Sequence, residues 1–142
     1  MAISQTTCTS FKVELFKAEH DFDTNEFKIA LYTSSATLGA STTAYSTSNE
    51  VSGTGYSAGG NVLTVASSFP KSLSTTAIVD FDNSTWINAT FTTRGALIYN
   101  NTHSSKAAVA VLDFGSDRSA SSSTFEIQFP IANAESAILR IT

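Results

Sequence analysis

From Phe27 the chain alternates with a period of two. Phe27, Ile29 and Leu31 fall on one face and Lys28, Ala30 and Tyr32 on the other, which predicts a β-strand. Apolar-rich or alternating runs predict further strands over 62–66, 77–81, 86–93, 96–100, 107–114, 124–129 and 136–141. Polar clusters at 100–106 (NNTHSSK) and 115–123 (GSDRSASSS) separate them, as antiparallel hairpins require. No helical stretch of a dozen residues remains for a crossover, so an antiparallel rather than a parallel sheet is expected. Ahead of the strands, Phe11, Leu15, Ala18 and Phe22 step by four, three and four within SFKVELFKAEHDF. A strand also fits Phe11, Val13 and Leu15, but the Glu and Lys content and the Lys17–Asp21 spacing favour a short helix, with Ser10 as N-cap. The resulting expectation is an all-β fold: an antiparallel β-sandwich or jelly-roll-like barrel with a short N-terminal helix. Residues 1–10 are polar and read as a flexible segment, and 11–142 as one β-rich domain.

Two features of the pattern exceed what a core needs. Val13 and Phe16 lie off the Phe11 stripe, so the helix carries enough apolar residues to be covered on two sides. Residues 33–48 form a long loop without periodicity, a length uncommon in compact domains unless it binds something or packs across a neighbour. Phe11, Val13, Leu15, Phe16 and Phe22, with Leu38 and Tyr45 in the loop, are therefore the candidate partner-contact residues. The competing reading is that they cover one end of the sandwich.

Composition sharpens this picture. Only 14% of residues are charged, and Ser and Thr, about three residues in ten, carry the polarity instead. Thr suits a pleated surface and Ser supplies turns, so with ten Phe and four Tyr the composition favours strands. A net charge of −4 and eight scattered basic residues exclude the clustered cationic footprint of a nucleic-acid binder. The lone Cys8 has no internal disulfide partner. No apolar run reaches the roughly 18 residues of a membrane span, and MAISQTTCTS lacks the basic-then-apolar order of a signal peptide, so synthesis and folding in a cytoplasm are expected, with no membrane partner.

Several apparent motifs lose their meaning in context. GTGYSA (53–58) matches the dinucleotide-binding turn, but short polar NEVS precedes it and the β-type run NVLTVAS follows the next glycines, where a buried strand and a helix are needed. Gly53, Gly55, Gly59 and Gly60 are instead expected to supply bends or close backbone approach, with Tyr56 packed between them. The D-F-G at 113–115 has no companion kinase motifs. DFDNS (80–84) opens like a calcium loop, but Thr85 and Phe91 stand where Gly and Glu are required. His20 with Asp21 and Asp23 reads as a solvated helix end rather than a metal site. His103 lies in a hairpin loop, where a nearby Ser among 22 carries no information about a triad. Sequons at Asn83, Asn88 and Asn100 follow from abundant Asn, Ser and Thr, and Trp86 reads as a core anchor. No catalytic, cofactor or metal constellation emerges, and an enzyme is not expected.

Four blocks, FKVELFKAEHDF, FKIALYTSSATLGASTTAYSTSNEVSGTGYSAGG, WINATFTTRGALIYNNTHSSKAAVAVLDFGSD and FEIQFPIANAESAILRIT, resemble a family of small virion structural proteins of tailed bacteriophages, especially marine and cyanobacterial ones. The resemblance runs from about Phe11 to Thr142. It implies a many-copy particle component, assembled in the host cytoplasm and located on the virion. The leading expectation is a capsid decoration or cement protein on the capsid surface. Its partners would be the major capsid protein and copies of itself, as a homotrimer or other symmetric cluster, and no cofactor is implied. A neutral Ser/Thr surface fits contact with a lattice at little cost in charge desolvation. The alternative is a tail, fibre or baseplate component contacting the host receptor through 33–48 and the glycine segment. A glycan hydrolase comes third, since it would need paired carboxylates in a cleft.

Overall fold

The computed structural model describes residues 2–142. In chain order it contains β1 (Thr6–Thr7), α1 (Thr9–Phe16), β2 (Phe27–Tyr32), β3 (Asn61–Leu63), β4 (Lys71–Leu73), β5 (Thr76–Val79), β6 (Ser84–Asn100), β7 (Ala108–Ile127) and β8 (Leu139–Ile141). Two antiparallel sheets result, one of five strands in the order β1-β7-β6-β2-β3 and one of three in the order β4-β5-β8. The fold is all-β and sandwich-like with one short helix. It is not a closed barrel, because each sheet keeps two edges.

The β6–β7 hairpin is the spine of the molecule. Its turn falls in NNTHSSK, where Asn100 Oδ1 accepts hydrogen bonds from the backbone N–H groups of Thr102 and His103. The polar cluster 115–123, expected as a second turn, is instead strand: Ser119 pairs with Thr92, Arg118 with Thr93 and Ala120 with Phe91. Strands expected at 86–93 and 96–100 are thus one strand, as are those at 107–114 and 124–129. Bulges between Trp86 and Gly95 absorb the irregular pattern that reads as a break.

β2 lies between β3 and β6, with Ile29 opposite Ile98 and Leu31 opposite Ala96. This register puts Phe27, Ile29, Leu31, Ile98 and Ala110 on one face and Ala30, Tyr32, Leu97, Tyr99 and Val111 on the other. Both sets are buried, because each face has its own cover. Phe22 stacks on Phe27 at a centroid distance of 4.3 Å and Phe11 packs on His20, so α1 and the return after it cover the first face. Tyr45 stacks on Tyr99 at 4.7 Å and brings the 33–60 connection over the second. Each large side chain so enclosed contributes roughly 1.5–3 kcal/mol by leaving water.

From Ala2 the N-terminal stretch makes backbone hydrogen bonds to the rest of the fold. Ser4 N–H bonds Leu38 O, Leu38 N–H bonds Ala2 O, and Cys8 N–H bonds Val109 O, while Thr6 and Thr7 pair with Val111 and Ala110. The helix also differs from expectation. Cys8, in extended conformation, occupies the N-cap without a side-chain bond to the helix, its Sγ donating to Gly39 O instead, and Ser10 lies within the helix with its hydroxyl buried and without a partner among the described residues. The helix stops at Phe16 rather than continuing toward Phe22, since Ala18 adopts a φ of 58° and turns the chain back. At the other end of the chain, the strand expected at 136–141 is only Leu139–Ile141, and residues 71–73, unremarkable in sequence, form β4.

Candidate functional site

The reversal at Ala18 has two consequences: it carries His20 back beneath the helix, and it leaves the helix's outer side uncovered. Phe11 is buried, Leu15 and Phe22 pack partly against the core, and Val13 and Phe16 point outward with 49% and 95% of their surfaces exposed. Between α1 and the three-stranded sheet lies an apolar groove of about 550 Å³. Ile78, Val79 and Leu139 line it from the sheet, Phe11, Leu15 and Phe16 from the helix, and Phe22 from the return. Ile141, 61% exposed, stands with Pro70 at the sheet's side. Phe16 and Ile141 are thus exposed apolar side chains gathered around one concavity rather than scattered singly over the surface. Lys12 and Arg140 also line the groove, and both continue into an adjoining polar cleft with Gln5, Ser136 and Thr142.

Of the residues singled out in sequence, Phe11, Leu15, Phe16 and Phe22 therefore line this groove, while Val13 is exposed on the helix without lining it. Leu38 and Tyr45 lie elsewhere. Leu38 exchanges backbone hydrogen bonds with Ala2 and Ser4, ahead of β1, and Tyr45 closes over Tyr99. Ile78, Pro70, Leu139 and Ile141 completed the groove unannounced, because only docking of the small sheet brings them to α1.

His20, Asp21 and Asp23 do not converge. The Asp21 carboxylate accepts from Asp23 N–H and Thr24 Oγ1, which holds it below the usual carboxylate range, while His20 points inward. His20 Nε2 lies 2.9 Å from Glu14, and His103 Nε2 lies 3.1 Å from Glu19. Ligand atoms of Glu14, Glu19 and His103 all lie within 4.8 Å of one another, a grouping that suggests a cation. Hydrogen bonding argues otherwise. Asn100 Oδ1 is fixed as an acceptor from two backbone N–H groups, so its Nδ2 donates to His20 Nδ1 at 3.0 Å. Ser105 N–H likewise donates to His103 Nδ1 at 3.1 Å. Both neutral rings then carry their proton on Nε2 and donate it to a carboxylate, leaving no lone pair there for a metal. The cluster works as a clasp between the end of α1 and the β6–β7 turn.

The glycine segment forms a second polar assembly around Glu50. Its carboxylate accepts from Tyr45 Oη at 2.7 Å, Tyr56 Oη at 2.6 Å and Gly59 N–H at 2.7 Å. Tyr99 Oη donates to Gly59 O, and Tyr56 Oη receives Leu31 N–H. Burial, reinforced by Glu50, pushes the hydroxyls of Tyr45 and Tyr56 well up, and Tyr99 is pushed up to about 12 by burial and then by the charges of Glu50 and Glu26. Gly55, Gly59 and Gly60 adopt positive φ, and a Cβ on Gly60 would overlap Ile29 O. Three donors from within the fold thus converge on Glu50, and GTGYSAGG is a bend pinned to the sheet, not a cradle for phosphate. Trp86 is likewise a core residue, packed near Tyr56 and Phe125.

The apolar groove, by contrast, has large exposed side chains, Phe16 and Ile141, left to bury. No family model, curated protein or solved structure matches the chain. Among the described residues no helix is long and apolar enough to cross a membrane.

Proposed function

We propose that this chain is a virion structural protein of a tailed bacteriophage, a capsid decoration or cement protein that seats on the major capsid lattice through the groove beside α1. The observation that carries this reading is Phe16, a phenylalanine almost wholly in water at the lip of an apolar groove. Exposing it costs solubility in the free chain and is repaid only when a partner covers it. The sequence resemblance supplies the identity of that partner. In this role the protein acts by mass action: it binds the assembled shell and not its dissociated subunits, and so stabilises the shell by an amount that grows with affinity and concentration at each site. Packing of copies as a trimer or other symmetric cluster would repeat the contact around each lattice position.

The test is the copy number in purified particles relative to the major capsid protein. Near-equal numbers, together with loss of attachment in a Phe16→Ser variant, are the expected result. A handful of copies per particle would move the protein to the tail, and absence from particles would end the virion reading.

A further inference from the structure

We propose that the groove receives an extended acidic-apolar segment of the partner chain, its large apolar side chains entering between α1 and the small sheet and its carboxylates meeting Lys12 and Arg140. The inference rests on the docking role above and names the chemistry of what docks.

Charge on this side runs against the molecule as a whole. The chain carries −4, yet among the described residues the groove is lined by two cations and by no carboxylate. Among the described residues neither Lys12 nor Arg140 has an ion-pair partner, and Glu14, the nearest acid along the helix, is turned to His20. Lys17 follows Phe16 in sequence and Lys71 follows Pro70, so half of the eight basic residues lie in or beside the elements that frame the groove. Lys71 keeps its ammonium over the Phe69 ring and, among the described residues, forms no ion pair.

Position matters as much as sign. Lys12, Arg140 and Thr7 line both the apolar groove and the polar cleft beside it, so the cations stand where one passes into the other. An occupant that is apolar in the groove and anionic at that junction satisfies both. A basic segment would meet uncompensated like charge, and a purely apolar one would desolvate two cations without pairing them. Backbone bonding is on offer as well: β8 pairs with β5 along one edge, and among the described residues its other edge has no strand partner. An extended segment can add there in the manner of β-augmentation.

Amide chemical shifts of the full chain, uniformly labelled with nitrogen-15, provide the test. Three probes are titrated: a ten-residue peptide alternating Leu with Glu, the same peptide with Lys in place of Glu, and decanoate. The Glu peptide is expected to move the resonances of Thr7, Ala77, Ile78, Leu139 and Ile141, with an affinity at least about tenfold above that of the Lys peptide. In Lys12→Glu/Arg140→Glu, both surface changes, the preference should invert while the rest of the spectrum stays in place. If that variant does not fold, Lys12→Gln/Arg140→Gln should erase the preference. The proposal is overturned if neither peptide moves these resonances at millimolar concentration, if both do so equally, or if decanoate matches the Glu peptide and displaces it. Peptide binding by a chain absent from particles sinks the virion reading alone. Particle attachment indifferent to Lys12→Glu/Arg140→Glu sinks the groove alone.

Discussion

The five-stranded sheet has two covers built on opposite principles. Over the Tyr99 face lies irregular chain, residues 33–60, with almost no regular secondary structure. Over the Phe27 face lie α1 and, beside it, a second sheet. The irregular cover is the tighter of the two: three donors converge on Glu50, two tyrosine rings stack, and glycines let the backbone approach Ile29 and Thr90 closer than any side chain would permit. The regular cover leaves a groove, since a helix of eight residues has two sides and the sheet below can occupy only one. Closure here comes from satisfied polar groups and glycine, and openness comes from surplus apolar surface on otherwise ordinary elements.

Breaking the closed side should cost most. Gly60→Ala must place a Cβ onto Ile29 O at a φ of +76°, and urea unfolding is expected to show a loss of more than about 3 kcal/mol. Glu50→Ala leaves two tyrosine hydroxyls and the Gly59 N–H short of an acceptor, a loss of about 2–3 kcal/mol. Hydrogen exchange should then rise across 45–60 while α1 stays protected.

Alkali probes the same side without mutation. Tyr32, Tyr45, Tyr56 and Tyr99 all have folded-state pKa values above their ordinary value of 10, chiefly through burial. Above pH 10 the unfolded chain therefore releases protons that the folded chain retains, so stability is full below that point and falls as pH climbs. The melting temperature should drop progressively from pH 10 through about 12, where Tyr99 itself titrates in the folded state. A flat profile over that range would contradict the burial of these hydroxyls. The open side should show the reverse balance. Phe16→Ser is expected to change stability by no more than about 0.5 kcal/mol, since the ring touches little. Under the proposed docking role it should nevertheless abolish attachment to particles, which sharpens the contrast between a cover that holds the fold and one that faces outward.

Much of this organisation was legible in the residues. Alternation identified β2 and both of its faces, and NNTHSSK located the central turn, because period and turn chemistry are local properties. Val13 and Phe16 stood out as apolar residues with no place on the helix's buried stripe, and they are exposed. Residues 115–123 were not legible as strand. They are polar on nearly every position, so alternation is invisible, and their conformation follows from pairing with Thr92 and Thr93 in a ribbon whose polar side faces water. Phe22 kept helical spacing from Ala18 yet lies past the reversal, since nothing in the spacing forbids a positive φ at alanine. The groove needed the most distant information of all: Leu139 and Ile141 reach α1 only through β5, some sixty residues earlier in the chain.

Cys8 ends this comparison from the inside. Its sulfur sits beneath the start of α1, fully enclosed, and burial with help from Glu14 pushes the thiol up to about 11. Thiolate, the form that reacts with disulfides and alkylating agents, is thus scarce and shielded while the chain is folded. Concentrated stocks should remain free of cross-linked pairs without added reductant, and the rate of labelling by a thiol reagent becomes a built-in clock for how often the helix lifts from the sheet.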